Sequence, residues 1–188
     1  VLTWTNNSTT ASVTKTGLTL TSGSTYYISV RGTDIAGNVS STITSNGVTV
    51  DRAAPSAGSV TDSSSTDLDW TRSTSTLTGV WTGFSDALSG IEKYEYAIGT
   101  TSGGTNVVTW TDNATTTNIT KTGLSLTNGT KYYISVRARD NVGNVSTAVT
   151  TDGITVDTDV PTIASVFEGS LATDIDYQNS GSELIISW

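Results

Sequence analysis

The chain has 188 residues, a formal net charge of −8 at pH 7, 35% hydrophobic residues, and neither Cys, His nor Met. That balance excludes the Lys and Arg clusters that grip nucleic acid or anionic membrane and favours divalent cations as partners. Without His or Cys there is no Ser-His-Asp or Cys-His nucleophile and no zinc site of the usual kind. No apolar run approaches the roughly 20 residues of a membrane span.

The first 51 residues recur later in the chain. Trp4-Thr5 returns at Trp110-Thr111, a spacing of 106 residues. Thr14 to Leu18 returns at Thr120 to Leu124, and Tyr26 to Arg31 at Tyr132 to Arg137. Gly37 to Ser40 returns at Gly143 to Ser146, Asp51 at Asp157 and Pro55 at Pro161. A period near 100 residues is one small domain, too long for a solenoid or propeller unit. Residues 1–51 therefore read as the C-terminal part of one repeat, 52–54 as a linker and 55–157 as a complete repeat. Residues 158–160 read as a second linker and 161–188 as the N-terminal part of a third repeat, so the whole reads as a stretch of a tandem array. Half a sandwich leaves strand edges and an apolar face uncovered, so the two partial repeats are expected to be ordered only when completed.

Within the complete repeat the spacing predicts strands over 57–62, 76–82, 91–98, 106–111, 116–121, 131–139 and 148–156. Leu77, Gly79 and Trp81 alternate with polar or outward positions, as do Tyr94, Tyr96 and Ile98, and Tyr132, Ile134, Val136 and Ala138. A period of two with one apolar face marks half-buried antiparallel strands. Turn residues separate the runs at Gly83 to Gly90, Thr101 to Gly104, Asn128-Gly129 and Asp140 to Asn144. Trp81 and Trp188 occupy equivalent places and are both expected in a core.

Leu77 to Trp81, Ile91 to Tyr94, and Leu126-x-x-Gly129-x-x-Tyr132-x-Ile134-x-Val136-x-Ala138 resemble the fibronectin type III pattern, with its Trp, its Tyr and its tyrosine corner. Gly83 to Ile91 and Asp140 to Ser146 are similar to the tandem fibronectin-like or immunoglobulin-like repeats of large secreted and surface proteins of bacteria. The resemblance implies an all-β fold of tandem seven-stranded antiparallel β-sandwiches. Two departures stand out: Gly79 replaces a branched apolar residue, and the chain holds only two prolines.

In such a sandwich the loops carrying Asp86, Asp140 and Asn144 gather at the pole nearest the preceding linker, where they face Asp51. Loop and linker oxygens suit Ca2+, so these four residues form a candidate metal site that would stiffen the joint. The alternative is that each merely stabilises its own turn through side-chain to backbone hydrogen bonds. Asp67 and Asp69, matched by Asp174 and Asp176, are placed at the opposite pole with Asp157 and Asp159, either as solvated surface or as a second cation site. Trp4 and Trp110 sit on an edge strand, either packed against the sheet or offering a ring face to sugars.

The sequence-level expectation is a non-enzymatic stalk or fibre segment of a long extracellular or cell-surface protein, an adhesin or surface filament. Its partners would be neighbouring repeats, copies of itself in a fibre, or a surface glycan or protein. The alternative is an accessory or carbohydrate-binding module of a secreted polysaccharide-degrading enzyme.

Overall fold

The computed structural model describes residues 2–64, 66–168, 175 and 177–188. All of its regular structure is β. The first segment forms β1 (Thr25–Tyr26), β2 (Ser29–Val30), β3 (Ile43–Thr44) and β4 (Val48–Thr49). These make two small antiparallel sheets, β1 with β4 and β2 with β3.

The central segment begins with β5 (Ser59–Thr61), β6 (Trp70–Thr71), β7 (Leu77–Thr82) and β8 (Ile91–Gly99). It continues with β9 (Val108–Asp112), β10 (Asn118–Lys121), β11 (Lys131–Asp140), β12 (Val149–Thr150) and β13 (Ile154–Val156). One sheet has the order β10-β7-β5, and the other runs β6-β13-β11-β8-β9 with β12 also on β11. The last segment contributes β14 (Phe167–Glu168) paired with β15 (Ile186–Ser187).

The alternation in the sequence becomes the core. Leu77 and Trp81 on β7 and Ile119 on β10 meet Tyr96 and Ile98 on β8, Tyr132, Ile134 and Val136 on β11, and Ile154 and Val156 on β13. Trp81 is 2% exposed, and Tyr94 lies edge-on to it with ring centroids 5.8 Å apart. The buried indole N–H of Trp81 has no hydrogen-bond partner among the described residues, so packing holds the ring. Gly79 is explained by the same core: a Cβ built there would lie 3.0 Å from Cδ1 of Ile134 on the facing sheet. A branched residue on β7 would push that isoleucine away. The tyrosine corner is present, the Tyr132 hydroxyl accepting from the Thr127 N–H at 2.9 Å.

Three points differ from the sequence expectation. The run 148–156 is split into β12 and β13, because Gly153 has a φ of 93° in the left-handed region. At the split the Thr151 hydroxyl accepts from the Ile134 N–H at 3.1 Å, a side chain filling a rung of the ladder. Strand β6 was not expected, and it pairs in parallel with β13. Trp188 is 80% exposed, unlike its counterpart Trp81. The ring set edge-on to Trp81 is that of Tyr94, and Phe84 packs on Tyr94 in turn.

Trp81→Ala should destabilise the chain by about 3–5 kcal/mol in urea unfolding, the usual cost of emptying an aromatic core site. Gly79→Val should cost about 1–3 kcal/mol through overpacking against Ile134. A loss under about 1 kcal/mol for Trp81→Ala would remove that ring from the core.

Candidate functional site

The loops at one pole of the central sandwich converge on the preceding linker. Asp51, Asp86 and Asp140 each place a carboxylate oxygen within 4.8 Å of the others. Asp86 caps its own turn: one oxygen accepts from the backbone N–H of Leu88 at 3.1 Å and of Ser89 and Gly90 at 2.8 Å each. Asp51 accepts from the Ala53 N–H at 3.0 Å and, across the joint, from the Ser89 N–H at 3.1 Å.

Asp140 ends β11 and is fully buried. Its Oδ1 accepts from the N–H of Val142 at 3.0 Å and of Asn144 at 2.8 Å, and its Oδ2 accepts from the Asn144 side chain at 2.7 Å. Burial favours the neutral acid, but the Asn144 side chain and the surrounding backbone N–H groups outweigh it and hold the carboxyl below the ordinary value. The Asn144 amide also donates to the Ala53 carbonyl at 3.0 Å. Asn141 ties the two loops together by donating to Ser89 and Gly90 carbonyls at 2.7 and 3.2 Å.

All four candidate metal residues are thus brought to one place. Every carboxylate there accepts protein N–H groups, the geometry of the turn-forming alternative, while the shared spacing within 4.8 Å is what a cation site would also need. Asn141 was not singled out from sequence, because its partners lie 51 and 52 residues away.

The second acidic pair is placed differently from the expectation. Asp67 falls beside Asp62 and Asp152, not beside Asp157 and Asp159. Asp159 accepts from the Asn128 side chain at 3.1 Å, and the Asp69 carbonyl accepts from the Thr155 N–H at 2.8 Å in the β6–β13 pairing. That unexpected strand pulls the segment onto the sheet edge. Asp174 and Asp176 lie outside the described residues.

Trp110 is half-buried, with the Arg137 guanidinium 4.2 Å from its ring centroid and the Arg137 Nε donating to Glu95 at 2.7 Å. One ring face is therefore covered by a cation. The same pairing joins Arg31 and Trp4 at 4.3 Å. Trp70 is 63% exposed and stands on β6 at the sheet edge.

No family model matches the chain. It is 37% identical over 160 residues to exoglucanase B of Cellulomonas fimi, covering 80% of this chain and 13% of the relative. It is 34% identical over 133 residues to chitinase A1 of Niallia circulans, covering 69% of this chain and 17% of that relative. The chain thus spans only a small part of the curated relatives it matches. A solved Fn3-like protein from Clostridium thermocellum is 30% identical, with 53% of this chain and 91% of that chain covered and a TM-score of 0.31.

Asn144→Ala should loosen the joint while leaving the core intact. The expected result is faster proteolysis at residues 52–54 and a loss of about 0.5–1.5 kcal/mol per hydrogen bond removed, read by limited digestion and thermal unfolding. Unchanged digestion would show that the Asn144 to Ala53 contact does not hold the linker.

Proposed function

We propose that the chain is a non-catalytic accessory segment of an extracellular polysaccharide-degrading enzyme, with residues 55–157 a fibronectin type III-like module acting as a connector. The observation that carries this reading is the pair of relatives. An exoglucanase and a chitinase are named for different polymers, yet each resembles most of this chain over less than a fifth of its own length. A part shared by enzymes of different specificity is not the part that selects or cleaves the substrate. Glucans and chitin are polymers too large to enter a cell, which supports an extracellular setting.

The same two relatives favour the accessory reading over the adhesin or surface filament. The chemistry of the surface agrees with a connector. The acidic residues at the joint are engaged in turns, and the Trp110 ring carries Arg137 on one face. Cellulose and chitin bind proteins through open rows of aromatic faces, whereas a connector needs none. Ca2+ held by Asp51, Asp86, Asp140 and Asn144 belongs to this proposal as a joint stiffener, supported by the convergence of the three carboxylates.

The test is a set of assays on the 188-residue chain with insoluble cellulose and chitin. The expected result is no release of soluble sugar and no depletion of protein from solution above that of an inert control. Hydrolysis of either polymer would overturn the non-catalytic reading. Saturable adsorption to one of them, abolished by Trp70→Ala, would replace the connector with a carbohydrate-binding module. Joint stiffening is read separately, by a longer maximum dimension in solution scattering with Ca2+ than with EDTA.

A further inference from the structure

A second acidic group lies at the edge of the sandwich, where β5 of the smaller sheet packs against β11 and β12 of the larger. Asp62 follows β5 directly and is 1% exposed. Both of its carboxylate oxygens are buried, and neither has a hydrogen-bond partner among the described residues. Asp67 and Asp152, both exposed, each bring a carboxylate oxygen within 4.8 Å of Asp62 and of one another.

This arrangement differs in kind from the joint. At the joint each carboxylate accepts backbone N–H groups, whereas the Asp62 carboxylate has lost its water and no N–H group among the described residues reaches it. A buried carboxylate without a partner is strongly unfavourable unless it is protonated or paired with a cation. The ion pairs among the described residues that involve Lys and Arg, Lys93 with Asp112, Arg137 with Glu95 and Arg139 with Glu92, lie elsewhere. Burial first, then the Asp67 carboxyl and the charge of Asp152, push Asp62 up to about 6 against an opposing pull from the Thr151 hydroxyl.

We propose that Asp62, Asp67 and Asp152 form a divalent cation site of the Ca2+ class that ties the two sheets together at this edge. The donor set is oxygen only, which suits a hard cation and disfavours zinc or copper. Asp62 supplies a buried, desolvated ligand from the strand side. Asp67 and Asp152 close the site from the solvent side, one on each sheet's connecting segment, so the ion bridges chain positions about 90 residues apart and stabilises only the folded state.

The experiment uses the full chain carrying Asp86→Asn, which removes a joint carboxylate while Oδ1 keeps accepting the turn's N–H groups. After EDTA treatment and dialysis, CaCl2 is titrated by calorimetry and by thermal unfolding, with MgCl2 as comparator. One Ca2+ should bind per chain and raise Tm, and adding either Asp62→Asn or Asp152→Asn should weaken it at least tenfold. Asp62→Asn should also raise the metal-free Tm, since it neutralises a buried unpaired charge, and Asp152→Asn, at an exposed position, decides the matter should Asp62→Asn not fold. Absence of Ca2+ binding in the Asp86→Asn chain, or equal affinity after Asp62→Asn or Asp152→Asn, would overturn the site.

Discussion

The structure depends on covering one sheet face with another. Trp81 can be buried only because β8, β11 and β13 present Tyr96, Ile134 and Val156 across from it, and the fit is tight enough that β7 carries no side chain at Gly79. Burial of an aromatic side chain and its neighbours is the largest favourable term available to a chain this size without disulfides or His and Cys metal sites. Where the second sheet is missing, that term vanishes. None of residues 2–50 is buried, although they carry the same strand sequences as the central segment. Closely matching local sequence yields a core in one place and exposed two-residue strands in the other, so the deciding interactions are long-range.

A second tier of contacts survives without the core. The Tyr26 hydroxyl accepts from the Thr21 N–H at 2.9 Å, as Tyr132 does from Thr127. Asp34 accepts from the backbone and side-chain N–H groups of Asn38 at 2.8 Å, as Asp140 does from Asn144. Ser45 takes the place of Thr151 in accepting from the strand opposite. These bonds close over a few residues or one hairpin and cost little loop entropy, which is why both copies form them. They fix the shape of turns, and the sandwich then uses turns already shaped.

This division explains what was legible in the sequence. The alternation in Tyr132 to Ala138 and in Leu77 to Trp81 carries its own evidence, since a period of two with one apolar face has a single good solution. The joint was legible too, because strand direction alone brings Asp86 and Asp140 to the pole of Asp51. Strand β6 was not. Trp70-Thr71 is two residues long, sits in an acidic and Ser-rich stretch, and is held by a parallel pairing with a strand more than 80 residues away. Asp62 escaped notice for a related reason: one acid at the end of a short strand looks like any surface residue until the opposite sheet buries it. Trp188 misled in the other direction, since its sequence position matches a core residue yet its side chain is 80% exposed.

The two acidic groups differ in what they hold together. The joint is crossed by few bonds, Asp51 with Ser89 and Asn144 with Ala53. At about 0.5–1.5 kcal/mol each, such bonds bias an orientation without locking it. A short linker limits the swing, and these bonds favour one pose within that range. The edge group acts inside the domain instead, where β5 is three residues long and pairs with β7 alone in its sheet. Pulling a sandwich through its termini loads this first strand directly, because Pro55 enters just ahead of it. A cation that fastens β5 to the segment between β12 and β13 therefore strengthens the module at its first strand.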